Sequence, residues 1–401
     1  MIGMKFEFRK EVASAKKAAM GEMYNIAKAN SHQGEKIINF ASGHPDTGVF
    51  QDDMIKKYIN ESLFESEKDF FQYGPHAGYL PLRNNLKDFV NSKGNICGKN
   101  DDILVTYGAA EAFFLASVSI INNGDRLIVD DPGYVNAINC FRMLGAEIIG
   151  IPIENDGPDI NRLEEAMKNG AKIYYTVPNF GNPSGVTTSL AKRKEICALA
   201  KKYNVLVLED DVYGRLRYKG VAIPSLKEID TNENIVYIGS MSKLIAPAMR
   251  IGFMIGSKKF IDKTIILKGI TSNGVNSILQ CAVSKILEKE DMDKLINRLC
   301  SIYGERLDCM ERSMKLFFPD GVIWGVPDGG MYIWVKMPYG TDVEMLCRRL
   351  SEALVPVTPG TGFCIADSER NRGMRFNFIK ENVEDIQSGI KKVGVVMKKY
   401  M

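Results

Sequence analysis

The sequence is short of the residues that build metal sites. Its 401 residues include three histidines, set far apart, and eight cysteines at 97, 140, 197, 281, 300, 309, 347 and 364. No two cysteines stand as Cys-x-x-Cys, so the pattern argues against zinc and for free thiols in a reducing, cytoplasmic setting. Charge of one sign is lacking too. With 52 basic and 49 acidic residues interspersed, nothing points to nucleic acid or a membrane surface as partner. The N-terminal residues Met-Ile-Gly-Met-Lys-Phe-Glu-Phe-Arg-Lys lack the apolar centre of a signal peptide. The most apolar run, Ala109 to Ile121, carries Glu111 and is too short to cross a bilayer. Repeats, low-complexity segments and long linkers are absent as well, which leaves an ordinary soluble composition long enough for two lobes.

The informative stretch is Ser240-Met-Ser-Lys-Leu-Ile-Ala-Pro-Ala-Met-Arg250, between the apolar runs Asn234 to Gly239 and Ile251 to Ile255. Lysine is seldom buried, and a buried amine loses its charge readily, which makes it a nucleophile toward a carbonyl. A lysine in a solvated turn is the plain alternative. Ser240, Ser242 and Arg250 weigh against it, because hydroxyls and a guanidinium are what a phosphate monoester needs. An amine beside a phosphate site suggests pyridoxal phosphate (PLP).

The chain reads as strand-helix alternation from Asp101 to Ile255, then a smaller α+β region of strands near 322–325, 330–336 and 374–379 with helices between. Several turns between these elements hold candidate ligands. Gly43, before His44-Pro45, permits close approach of backbone to a ligand, or simply a tight turn. Tyr73, in a Gly/Pro-punctuated loop, offers a phenol for a phosphate. Ala109 and Ala110 open a helix after a strand, where free amides bind anions, although any strand-to-helix turn looks alike. Tyr134 follows a strand end, placed either to stack on a flat ring or to fill the core. Asn182 precedes Pro183 and is held extended, with its amide free to face a cleft. Asp210 and Asp211 end a buried strand, where acids are unexpected in a core; either could hold a proton on a heterocyclic nitrogen.

The ordered set Tyr73-Gly-Pro…Gly78-Tyr…Pro81-Leu-Arg83, Asn182-Pro-Ser-Gly185, Asp210-Asp-Val-Tyr213, Ser240-Met-Ser-Lys243…Arg250, Gly329-Gly330-Met331, Pro359-Gly360 and Arg375-Phe-Asn-Phe378 resembles the class I/II aminotransferases. These are PLP-dependent enzymes of fold type I, and the likeness runs from about Asn39 to the C-terminus. The Ser-x-Ser-Lys-x-x-x-Pro-x-x-Arg form is most like the branch of the 2-aminoadipate aminotransferases, which also contains the aminotransferase-like halves of some bacterial transcription regulators. The resemblance implies an α/β fold with a mostly parallel seven-stranded sheet. It implies a division into an N-terminal segment of the small domain (1–45), a large PLP-binding domain (46–295) and a C-terminal small domain (296–401).

It also assigns roles. Lys243 would carry the cofactor and move the proton. Asp210 would pair with the pyridine nitrogen, with Asp211 behind it. Tyr213 and Asn182 would bond the ring's 3-oxygen, and Tyr134 would stack on the ring. Ser240, Arg250 and the amides of Ala109 and Ala110 would hold the phosphate. Tyr73 would come from the other subunit of a homodimer whose active site is shared across the interface. Arg375 would clamp the substrate carboxylate, with Gly43 and Asn182 close by. Position 109 departs from the pattern, being alanine where many relatives carry a hydroxyl. The implied reaction moves an amino group from an L-amino acid (aminoadipate, aromatic or branched-chain) to a 2-oxo acid such as 2-oxoglutarate. A lyase on the same fold and a non-catalytic PLP-binding sensor are the alternatives; the piece before the motifs, about forty residues, holds no winged-helix domain. Specificity is expected from the Ser14–Ser31 helix, the Gly43–Asp46 turn and Thr271–Asn276, with Lys28 and Arg9 as conceivable partners for a distal carboxylate.

Overall fold

The computed structural model describes residues 7–13, 19–64, 71–365 and 372–401. Apolar, β-branched runs become the strands of an eight-stranded sheet in the order β1-β8-β7-β6-β5-β2-β3-β4. They span Asp101–Tyr107 (β1), Arg126–Asp131 (β2), Glu147–Glu154 (β3), Gly157–Pro158 (β4), Ile173–Thr176 (β5), Leu206–Asp210 (β6), Ile235–Ser240 (β7) and Ile251–Ser257 (β8). The seven expected strands are present. The eighth is a two-residue edge strand, β4, paired antiparallel to the end of β3, too short to leave a periodic signal. β2 pairs in parallel with β3 and β5, and the parallel ladder continues through β6 to β7. Central strands such as β5 and β7 are buried along their whole length, as covering on both faces requires.

β8 is antiparallel to both β7 and β1. Its first residues therefore lie at the sheet edge where the parallel strands end, with Ser240 opposite Gly252. That reversal brings Arg250 beside the C-terminal ends of β7 and β1. Open α/β sheets bind ligands at that edge.

A second, four-stranded antiparallel sheet has the order β11-β12-β10-β9, from Ile323–Trp324 (β9), Tyr332–Lys336 (β10), Thr358–Pro359 (β11) and Gly373–Asn377 (β12). Arg375 on β12 stands opposite both Trp334 and Thr358. The helix Met292–Phe317 covers this region, capped by Asp291, which accepts from the Lys294 amide. It buries Leu299, Tyr303, Leu307, Met310 and Met314, one stripe at helical spacing, against a core that also holds Leu208 of the large sheet and Phe376 of the small one. At about 1.5–3 kcal/mol for each fully buried apolar side chain, such a shared core holds the two sheets in one arrangement. The expected division at 295/296 falls in the first turn of this helix. The expected Ser14–Ser31 helix is seen from Ala19 to Asn30, and residues 14–18 lie outside the described ones. Among the described residues no helix is long and apolar enough to cross a membrane.

Candidate active site

A cleft of about 550 Å³ opens at the C-terminal edge of the large sheet, closed on its far side by the small sheet. Gly43, Ala109, Ala110, Tyr134, Asn182, Asp210, Tyr213, Ser240, Lys243, Arg250 and Arg375 all line it. Residues spread over some 330 positions of sequence thus meet in one place.

Lys243 sits in a single 3-10 turn, Met241–Lys243, between β7 and β8. Ser240 caps that turn, its Oγ accepting from the Ser242 amide at 3.2 Å, which explains the hydroxyl at this position. Lys243 Nζ reaches the Gly43 carbonyl at 3.4 Å. Burial, with Arg375 and Arg250 nearby, lowers its amine to about 8. A substantial neutral fraction near neutral pH is what a nucleophilic lysine requires.

Asp210 ends β6, 3 % exposed, and accepts from the Tyr175 hydroxyl at 2.5 Å through Oδ2. Its other oxygen, Oδ1, is buried with no hydrogen-bond partner. Burial pushes the carboxyl up to about 7; Tyr175 pulls it down and the Asp211 charge pushes it further up. The neighbouring acids act elsewhere. Asp211 is tied to Asn179 at 2.7 Å and to the Tyr237 hydroxyl at 3.0 Å. Glu209 accepts from the amides of Leu226 and Lys227, both at 2.8 Å. Of Asp210 and Asp211, the open alternatives in the sequence, only Asp210 lines the cleft.

The opposite wall is built for an anion. Gly108, with φ +73°, turns the chain from β1 into the helix Gly108–Val118, and a Cβ there would stand 2.6 Å from Arg250 Nη2. Arg250 itself adopts left-handed backbone (φ 52°) and donates from Nη2 to the Tyr107 carbonyl at 3.0 Å. Small residues, first-turn amides and a guanidinium thus converge, so the alanine at 109 does not spoil the site. Arg375, 2 % exposed, is set by Asn182 Oδ1 at 3.1 Å and the Ala41 carbonyl at 2.9 Å, and lies over the Tyr332 ring at 4.3 Å.

Tyr73 is the exception. It is 80 % exposed and lines a separate surface hollow with Phe71, Tyr107 and Ser272 to Ile278, so it does not reach the cleft of its own chain. Of the expected Thr271–Asn276 segment, residues Ser272 to Asn276 line this hollow and not the cleft, whereas Lys28 and Arg9 line neither. Sequence reasoning missed Tyr175, Tyr332, Phe363 and Asn136. The Tyr174-Tyr175 pair in a fully buried strand was the available signal, since a buried phenol calls for a partner.

The residues fit PLP: an amine of lowered pKa, a buried carboxylate oxygen with no donor, and a small-residue anion cradle lie round one cleft. Residues 35–387 match the family described as aminotransferase class I and II. The chain belongs to that family. It is 33% identical to aromatic-amino-acid aminotransferase 1 of Thermococcus litoralis, over 91% of this chain and 89% of the relative. It is 28% identical to 2-aminoadipate transaminase of Thermus thermophilus, over 90% of each. A crystal structure of the Pyrococcus horikoshii kynurenine aminotransferase in complex with PMP superposes with a TM-score of 0.90 at 30% identity, covering 98% and 97% of the two chains. The protein is a PLP-dependent aminotransferase, an enzyme of the 2-aminoadipate-like branch.

Proposed function

We propose that the enzyme takes its amino group from a broad set of L-amino acids with aromatic, branched-chain or aminoadipate-like side chains and passes it to a 2-oxo acid, 2-oxoglutarate being the expected acceptor. The observation that carries this reading is the cleft wall around Arg375. The rings of Tyr332 and Phe363 lie 4.3 and 5.1 Å from its guanidinium, Val135 adds apolar surface elsewhere in the cleft, and the arginines among the described lining residues are Arg250 and Arg375 alone. A short acidic side chain would find no second arginine; an extended or aromatic one would gain buried surface.

Bound PLP supplies an aldehyde that captures the donor amine and a ring that takes up the electron pair left at Cα. The chain's own residues do the rest. Arg375 receives the substrate carboxylate as a charge-assisted, two-pronged pair and so fixes which Cα bond faces Lys243. Freed Lys243 accepts the Cα proton and redelivers it. Asp210 would keep a proton on the ring nitrogen through its unpartnered Oδ1. Tyr213 and Asn182 would bond the ring's 3-oxygen and Tyr134 would stack on the ring. Ser240, Arg250 and the Ala109 and Ala110 amides would hold the phosphate. The carboxylate clamp disfavours decarboxylation, because a group held by Arg375 is poorly placed to leave. We further infer a cytoplasmic homodimer in which Tyr73 from a second copy completes the phosphate site. Its support is the exposure of Phe71 (71%), Tyr73 (80%) and Ile270 (78%).

The test is the absorption spectrum of the purified enzyme as amino acids are added singly without oxo acid. Bleaching of the yellow band by aromatic, branched and aminoadipate-like donors is the expected result. Bleaching by aspartate and glutamate alone would overturn the donor class, and release of pyruvate and ammonia without bleaching would make the enzyme a lyase.

A further inference from the structure

The start of the helix Gly108–Val118 holds a charge that the reaction does not use. Glu111, in its first turn, accepts from the Tyr107 amide at 2.7 Å through Oε2. This bond fixes the residue just before Gly108, while Arg250 holds the Tyr107 carbonyl and the Thr106 hydroxyl donates to the Gly108 carbonyl at 2.9 Å. The turn that presents the Ala109 and Ala110 amides is therefore held by a carboxylate. A carboxylate there suits the helix end. It does not suit a second anion at the same end, because like charges in a half-buried site repel strongly.

Lys268 answers that charge. It lies on the helix Lys258–Thr271, its side chain 0% exposed, and its Nζ stands 2.6 Å from the same Glu111 oxygen and 3.0 Å from Ser272 Oγ. Its ammonium also lies 5.3 Å from the centre of the Tyr107 ring. Burying a lysine completely is costly unless its charge is paired. An apolar residue would fill the same space without that cost.

We propose that Lys268 is a positioning residue for the cofactor's phosphate: it neutralises Glu111, so that the carboxylate can brace the turn without repelling the dianion. This rests on the reading that the phosphate lies at the start of this helix. The pair acts through the charge at that helix end and touches neither ring nor substrate.

The experiment is a titration of the full chain, freed of cofactor, with PLP and separately with pyridoxal, which lacks the phosphate. In Lys268→Met the dissociation constant for PLP is expected to rise at least tenfold, while that for pyridoxal stays within about twofold of the wild type. The double variant Lys268→Met/Glu111→Gln, which removes the unpaired charge, is expected to regain most of the PLP affinity. Equal losses for PLP and pyridoxal would show a merely structural pair and overturn the proposal, as would unchanged PLP affinity or no recovery in the double variant. Arg250→Ala and Ser240→Ala test the underlying reading: if neither weakens PLP, the phosphate lies elsewhere and both ideas fall. If they weaken it and Lys268→Met does not, only the role of Lys268 is lost.

Discussion

Changing Tyr175 to phenylalanine removes one oxygen atom and leaves a well-packed ring. The ring is locked edge-on between Phe113 and Phe141, with centroids 5.7 and 5.4 Å away, so the variant keeps its shape. What it loses is the donor to Asp210 Oδ2. Oδ1 already lacks a partner, so both carboxylate oxygens become buried acceptors without a donor in the cofactor-free protein. A hydrogen bond to a charged group is worth about 1.5–3 kcal/mol, and 1.36 kcal/mol equals one pKa unit. The Asp210 carboxyl, already pushed up to about 7 by burial, should therefore rise by roughly one to two units more. In its proposed role Asp210 would act ionised beside the ring nitrogen, so activity would be lost as pH falls through the pKa it has with cofactor bound. A raised pKa moves that loss to higher pH. The assay is kcat/KM against pH: the acid limb of Tyr175→Phe should shift up by about one to two units with the alkaline limb in place. Asp210→Asn should show low activity at every pH. An acid limb that coincides with the wild type would refute the argument that Tyr175 sets the charge on Asp210.

Lys243→Ala is expected to abolish transamination while leaving the circular dichroism spectrum and melting temperature near the wild type, since it removes an amine whose charge is already disfavoured by burial and by Arg375 and Arg250; full turnover in that variant would refute the role of Lys243. Arg375→Lys keeps the charge but loses the planar fork, so KM should rise about 10- to 100-fold for every donor and acceptor alike, the equivalent of one charged hydrogen bond; an effect confined to one side-chain class would mean that Arg375 reads the side chain. Asp210→Asn also bears on stability without cofactor. Burial raises the folded carboxyl to about 7 from an ordinary 3.8, so the folded state holds the extra proton between about pH 4 and 7 and stability falls as pH rises through that window. Thermal unfolding should therefore show the variant gaining on the wild type from pH 5 to pH 8, and parallel curves would contradict the assignment.

How much of this was legible in the sequence depended on whether the signal was local. Lys243, Ser240 and Arg250 share one short turn, and the reversal of β8 that makes them neighbours follows from a connection too short for a parallel crossover. The acidic run after a buried strand marked a site and the resemblance favoured Asp210; the pleat gives the physical reason, since adjacent residues face opposite sides, and Asp211 meets Asn179 and Tyr237 while Asp210 meets the cleft. For Tyr175 the local signal, a phenol in a buried strand, called for a partner without naming it: Asp210 is one strand over and 35 residues on. β4 escaped because two residues have no period.

The charges in the cleft explain why these parts work together. Lys243, Arg250 and Arg375 face it, against Asp210 as the one carboxylate among the described lining residues. Burial first, and then the Arg375 and Arg250 charges, hold the lysine amine down near 8, which favours its attack on an aldehyde. In the proposed roles, a phosphate at Arg250 and a substrate carboxylate at Arg375 would cancel the two charges that add to the effect of burial. The free amine would then be a stronger base when a Cα proton must be taken. On this proposal one lysine would serve as nucleophile and as base, because burial holds its pKa down throughout while the smaller contribution of the two arginines would lapse as they are occupied.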